Sequence, residues 1–173
     1  MNMPVKLSAE QESYLATIPA GKITHILPYT PRLRETADKL IAKVHASHPE
    51  LTAFFGGSAG LGIAGQNDLD IDWMINPALF PNYFPTFVKL FSQPRVLDGT
   101  VAAWTFQEDG FEVDMWMTDP SSASVKEQQE VFRKLKDSPA LLRAYEQMKL
   151  GFDGKPYREY QRAKYEFYHK IIA

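Results

Sequence analysis

Asp70 and Asp72 stand two residues apart in the stretch Leu69-Asp70-Ile71-Asp72-Trp73, where apolar and acidic side chains alternate. On a strand this alternation sends Leu69, Ile71, Trp73 and Ile75 to one face and sets both carboxylates side by side on the other. Two such anionic groups repel each other unless a cation lies between them. A hard divalent ion, magnesium or manganese, suits the pair, because it prefers carboxylate oxygen and completes its shell with waters and substrate phosphates. Upstream, Gly57-Ser58-Ala59-Gly60-Leu61-Gly62 supplies glycines that let backbone N–H groups approach phosphate oxygens, and Ser58 adds a hydroxyl donor. Neither feature is specific alone: an Asp-x-Asp strand is commonly a solvated face, and glycines are commonly turn residues.

A third carboxylate is within reach. Asp109-Gly110 predicts a hairpin turn between strands over 96–107 and 111–118. In the second strand Phe111, Val113, Met115 and Met117 share one face while Glu112, Asp114 and Trp116 share the other, so Asp114 can join the first two aspartates, with Glu112 as fallback. Three carboxylates can hold two ions. Such a pair lowers the pKa of an attacking hydroxyl and stabilises leaving pyrophosphate during displacement at an α-phosphorus.

The elements that must position these residues are legible from their caps. Ser8 with Gln11 forms a capping-box signature for a short helix to about residue 18, an N-terminal arm within about 1–24. Thr30-Pro31 opens a helix whose Leu33, Ala37, Leu40, Ile41 and Val44 recur at helical spacing, ending near His48-Pro49. Leu51 to Phe55 reads as a short buried strand, the residues from Gly56 to Asn67 as a loop, and a short helix after Pro85 runs through Phe91. From Ser124 the pattern is helical, with helices over about 125–136, 139–150 (Ser138 as N-cap, Gly151 as stop) and 156–172, forming a C-terminal segment of about 124–173. The fold expected is α+β, a nucleotidyltransferase-type core of a small mixed sheet with helices on one side plus C-terminal helices, as a single domain over 1–173.

Gly57-Ser58, eleven intervening residues and then Asp70-Ile71-Asp72 resemble the signature of the polymerase-beta-like nucleotidyltransferase superfamily. Within it the chain is similar to the GrpB-like family, which shares a Pro-Tyr segment before the first helix, here Leu27-Pro28-Tyr29-Thr30-Pro31. That family also shares a C-terminal Tyr-x3-Lys-x2-Phe pattern, here Tyr160, Lys164 and Phe167. The resemblance spans about residues 25–172. It implies that Gly57 and Ser58 bind a nucleoside triphosphate, that Asp70 and Asp72 are metal ligands and that Asp114 is the third carboxylate, all three aspartates being catalytic. Gly-Ser-Ala-Gly-Leu-Gly replaces the family's Gly-Ser-Thr with a following Pro-Gly, and Gln66-Asn67 occupies the place of a lysine ahead of the acidic strand. Lys149 and Lys164, on helices that can pack near the site, are then the candidates for positive charge at the phosphates.

These residues together imply a magnesium-dependent nucleotidyltransferase moving a nucleoside monophosphate, AMP from ATP, to a hydroxyl of an unidentified acceptor: small molecule, protein or RNA. A non-catalytic nucleotide- or partner-binding module on the same fold is the alternative, and a metal-dependent phosphohydrolase using water as acceptor is a third. His45 and His48 read as surface residues, since an i,i+3 pair beside a proline lacks a third ligand. The C-terminal aromatics read as core before base-stacking platform, and Lys149, Lys155, Arg158, Arg162 and Lys164 as a solvated face.

Composition narrows the classes. With 173 residues, 45% hydrophobic and 23% charged, the chain can form its own core, and the lack of cysteine excludes zinc-thiolate and cysteine-nucleophile chemistry. A formal net charge of −2 argues against a large nucleic-acid footprint. No apolar run suggests a membrane span or signal peptide, so a cytoplasmic protein is expected. The sequence does not specify the oligomeric state.

Overall fold

The computed structural model describes residues 6–173; the first five residues of the N-terminal arm lie outside that range. Its centre is a five-stranded mixed sheet of β1 (Thr52–Phe55), β2 (Asp68–Met74), β3 (Val96–Leu97), β4 (Val101–Glu108) and β5 (Phe111–Thr118), in the order β1-β2-β5-β4-β3. The acidic strands β2 and β5 are parallel neighbours, and every other pairing is antiparallel. The chain is therefore α+β, with helices before, between and after the strands.

Alternation decides which face is core. Leu69, Ile71 and Trp73 of β2 and Val113, Met115 and Met117 of β5 are fully buried against α2 (Pro31–His45) and α4 (Phe80–Phe91). Each such side chain contributes roughly 1.5–3 kcal/mol by leaving water. Aromatic edges lock the layer: Trp73 meets Phe87 edge-on at 5.6 Å, and Phe87 in turn packs 5.5 Å from Trp104. A strongly apolar face therefore holds β2 and β5 rigidly, and the polar residues between are forced to the opposite face.

That opposite face looks toward α5 (Ala123–Asp137) and α7 (Tyr157–Ile172), with α6 (Pro139–Leu150) packed against both. Phe54 of β1 meets Phe132 of α5 at 5.0 Å, so α5 seats on the β1 end of the sheet. The arm is docked. Ser8 and Gln11 form both bonds of the capping box on α1 (Ala9–Thr17), and Leu7, Leu15 and Ile18 bury against Tyr157 and Tyr160 of α7. Arg162 adds a two-pronged bond to Glu12 at 2.8 and 2.7 Å.

Pro31 and Pro139 stand at the starts of α2 and α6 and Ser138 accepts from the Leu141 N–H, whereas Thr30 makes no side-chain cap bond to α2. Three segments differ from the sequence reading. The glycine-rich stretch holds a short helix, α3 (Gly57–Leu61), ended by Gly62 in the left-handed region. The strand expected over 96–107 is broken at Asp98-Gly99, where Asp98 accepts from the Thr100 and Val101 N–H groups and makes two strands of one. Finally, α4 begins at Phe80, after a 3-10 turn over Pro77–Leu79, and carries Pro85 inside it. Phe80, Tyr83, Phe84, Phe87 and Phe91 all pack into the same core and hold that helix despite the missing donor.

His45 and His48 are half-buried and not surface residues. His45 Nε2 lies 2.9 Å from the Leu51 carbonyl and its ring packs edge-on to Trp73; His48 Nε2 lies 2.9 Å from the Thr86 hydroxyl. They tie the end of α2 to the approach to β1 and to α4. Among the described residues, no helix is long and apolar enough to cross a membrane.

Candidate functional site

The register of β2 on β5 places the carboxylates. Asp70 is directly opposite Asp114, and Asp72 opposite Trp116, so Asp68, Asp70 and Asp72 share a face with Glu112, Asp114 and Trp116. An open cleft of about 930 Å³ lies between this face and the α5/α7 wall. Asp70, Asp72 and Trp116 line it from the sheet, Gly57 from α3, Lys164 and Tyr168 from α7.

Gly57 is fixed by two requirements at once. Its φ is +62°, and a Cβ there would collide with Asp70 Oδ2. The neighbouring Gly56 N–H donates to the Asp70 carbonyl at 2.9 Å, so the start of α3 is bound to β2 at the level of the carboxylate. Only glycine satisfies both the backbone angle and the close approach.

Ser58 sits one residue on, and its hydroxyl accepts a hydrogen bond from Lys149 Nζ. Lys149 is 3% exposed, so the solvated-face reading fails for it. The contact is sheltered by Gly65, where a Cβ would lie 2.8 Å from Ser58 Oγ, and the loop is held to α6 by Glu146, which accepts from the Ala64 N–H at 2.8 Å. Lys164 reaches the cleft from the first half of α7. Its neighbours Arg158 and Arg162 serve the arm instead, through the Ile18 carbonyl and Glu12.

Charges in this cleft are poorly compensated. Burial, and then the negative charge of Asp68, raises the Asp70 carboxyl to about 7, with Lys164 pulling the other way. Burial raises Asp72 to about 6. Lys149 is lowered to about 7, by burial first and by repulsion from Lys164 second. Lys164 itself is held well above the ordinary lysine range, with Tyr168 the largest influence, and it stays cationic. Burial is the first cause of all three shifts, and Lys164 is the cation that opposes it at Asp70.

Asp114 is oriented differently. Thr105 Oγ1 donates to Asp114 Oδ1 at 2.6 Å, and Arg95 places a guanidinium nitrogen 3.6 Å from the same oxygen. Among the described residues, no three carboxylates or imidazoles are gathered closely enough to enclose a metal ion. Two carboxylates with room for phosphates beside them still fit magnesium or manganese, since such ions are commonly held by one or two carboxylates plus substrate oxygens. The oxygen-only donors and the uncompensated burial of Asp70 and Asp72 agree with a cation there.

The structure thus brings Gly57, Asp70, Asp72 and Lys164 to one cleft, sets Ser58 and its partner Lys149 beside Gly57 but outside the cleft lining, and places Asp114 on the same sheet face as Asp70. Trp116, Arg95 and Tyr168 also stand at the site, and the sequence does not single them out. Trp116 carries a signal, since it shares a face with Asp114 by alternation; Arg95 and Tyr168 are placed only by the tertiary fold.

No protein-family model matches the chain, and no curated protein matches it. The GrpB-like resemblance therefore stands on the sequence motifs alone. Among solved structures the chain is similar to a cytoplasmic RNA terminal U-transferase, at 12% identity and TM-score 0.40 over 82% of this chain and 45% of that one. It is also similar to the Cid1 poly(U) polymerase solved with Mg and 3'-dATP, at 12% identity and TM-score 0.38 over 80% of this chain and 46% of that one. The chain spans less than half the length of either structure.

Proposed function

We propose that the chain is a metal-dependent nucleotidyltransferase that moves a nucleoside monophosphate, AMP from ATP, to an acceptor hydroxyl. The observation that carries this reading is the parallel pairing of β2 with β5, which sets Asp70 and Asp72 beside Asp114 on one face, above a cleft lined by Gly57 and Lys164, with the Ser58–Lys149 contact next to Gly57. A magnesium or manganese ion held by Asp70 and Asp72 would neutralise charge on the triphosphate and on the departing pyrophosphate.

The chain's own residues do the rest. Gly57 leaves the approach to Asp70 open, Ser58 offers a hydroxyl to a phosphate oxygen, Lys164 balances phosphate charge from the helical wall, and Lys149 adds charge from behind Ser58. Lys149, lowered to about 7, regains its proton preference once a polyanion lies against it. Asp114 takes the acceptor's hydroxyl proton as the acceptor oxygen bonds to the α-phosphorus and the bond to pyrophosphate breaks. Its side chain must first leave Thr105 and Arg95.

Calorimetric titration of ATP, GTP, CTP and UTP, with and without magnesium, tests the reading in the wild type and in Asp70→Asn/Asp72→Asn. Metal-dependent binding of one nucleotide, weakened about a hundredfold or more in the variant, is the expected result. Equal binding by both proteins sinks the site. Binding without pyrophosphate release across a broad panel of hydroxyl acceptors would favour a nucleotide-binding module, a reading supported by the engagement of Asp114 with Arg95.

A further inference from the structure

Beyond the paired aspartates, the polar face of the sheet continues as a shelf across β5, β4 and β3. Successive residues opposite one another across the sheet are Asp72, Trp116, Ala103 and Val96, so toward β4 and β3 the Trp116 indole has only a small alanine and a valine beside it. Trp116 also lines the cleft. Over its ring, 4.9 Å from the centroid, stands the guanidinium of Arg95. Arg95 Nε donates to Thr105 Oγ1 at 2.6 Å, and Thr105 passes a hydrogen bond on to Asp114 at 2.6 Å.

We infer that Arg95, stacked on Trp116 and tied through Thr105 to Asp114, is the specificity-determining cation of an acceptor subsite that selects a small hydroxylated anion, its charge carried by a phosphate or carboxylate group. The inference rests on the transferase reading for the word acceptor, not for the binding site. An acceptor hydroxyl at Asp114 puts its neighbouring substituents at the exposed edge of the Arg95 guanidinium, which itself covers the Trp116 ring. The guanidinium offers a planar fork to phosphate or carboxylate oxygens, and the indole face keeps that fork in plane. Arg95 keeps 44% of its side chain exposed, so it can leave Asp114 for such an anion without unfolding anything.

Surrounding charge decides between a small anion and a polyanion. Glu112 lies two residues from Asp114 on the same face, Asp119 lines the cleft just past the end of β5, and Asp98 caps the turn before β4. With Asp114 itself, one cation stands among four carboxylates, so it can attract only a single anionic group held close to the guanidinium. A nucleic-acid backbone, with many phosphates, would meet the acidic rim, and among the described residues no run of lysines or arginines lines that rim to receive it.

The test is calorimetric titration of glycerol 3-phosphate, glycerate, glycerol and a short oligoribonucleotide into the wild type, Arg95→Ala, Arg95→Lys and Arg34→Ala. Glycerol 3-phosphate and glycerate separate phosphate from carboxylate as the preferred group. Expected are binding of at least one of the two anions and none of glycerol, a loss of about tenfold or more in Arg95→Ala, and partial recovery in Arg95→Lys, which keeps charge but not the fork. Arg34→Ala, which removes an exposed arginine of α2 on the other side of the sheet, should bind the anion as the wild type does. Anion binding indifferent to Arg95, absence of binding by both anions, or tighter binding of the oligoribonucleotide overturns the inference. If nucleotides fail to bind while the anion binds through Arg95, the transferase reading falls and the subsite stands.

Discussion

Asp70 shows at the scale of one residue how function opposes stability. Its folded carboxyl is raised to about 7, against an ordinary aspartate value of about 4 in the unfolded chain, so between those limits the folded state holds a proton that the unfolded state has released. Folding is then most favoured below the lower value, and the contribution is lost as pH rises through 7. Asp72, raised to about 6, acts in the same direction. Carboxylates of the opposite kind, such as Asp98 and Glu108, are lowered by hydrogen bonds from Thr100 and Lys39 and lose their contribution only as pH falls through the acidic range. Asp70→Asn should therefore raise stability over the wild type by about 1–2 kcal/mol at pH 8, a value reduced from the full shift because the cleft admits water, and by little at pH 4. Urea denaturation of both proteins at the two pH values measures this. A variant less stable than the wild type at pH 8 would mean that Asp70 is already charge-balanced in the free protein.

At the scale of elements, the sequence speaks through caps and alternation and falls silent where tertiary contact decides. The capping box at Ser8, the Pro31 and Pro139 starts and the acidic strand β2 all have local causes, and all are legible. Asp98-Gly99 carries the same turn dipeptide as Asp109-Gly110, yet the apolar residues on both sides of it mask the break. Lys149 and Lys164 are marked in the sequence only as lysines on helices that can pack near the site, and nothing local tells that Lys149 meets Ser58 across 91 residues. The short helix α3 illustrates the limit best, because glycine-rich stretches have low helix propensity and read as loop. Close packing holds α3: a Cβ on Gly60 would collide with the Phe55 carbonyl oxygen. Gly62 differs, with a φ of +71° and open space around it. Gly60→Ala should cost about 2–3 kcal/mol because α3 must lift from β1, and Gly62→Ala about 1 kcal/mol from backbone strain alone. Thermal denaturation of the two variants gives the order. Equal losses would show that α3 is not seated on β1.

At the centre of the molecule two walls face each other across a cleft, with paired carboxylates on the sheet wall and the cation Lys164 on the helical wall. The sheet wall holds Asp70 and Asp72, fixed by a rigid apolar layer behind β2 and β5; the helical wall holds Lys164 on α7, with Lys149 of α6 set behind the lining against Ser58. The docked arm buttresses α7 through Leu15, Ile18 and the Glu12–Arg162 pair, and its Ser8, Glu10 and Gln11 line the same cleft. A magnesium nucleotide spanning the cleft would join the walls, with its cation on the aspartates and its phosphates on the lysines. Such a ligand binds only the assembled fold and stabilises it by about 2.7 kcal/mol at about a hundred times its dissociation constant, which for a chain of this size raises Tm by roughly 5–10 °C. Losing either wall should lose the shift. Lys164→Met, read against its own ligand-free Tm, should remove most of it, just as Asp70→Asn should, although the two substitutions lie on opposite walls and alter the charge in opposite senses. Differential scanning fluorimetry with magnesium and each nucleoside triphosphate measures both. A full shift retained in Lys164→Met would mean that the nucleotide rests on the sheet wall alone, and the helical wall would then have to serve the acceptor.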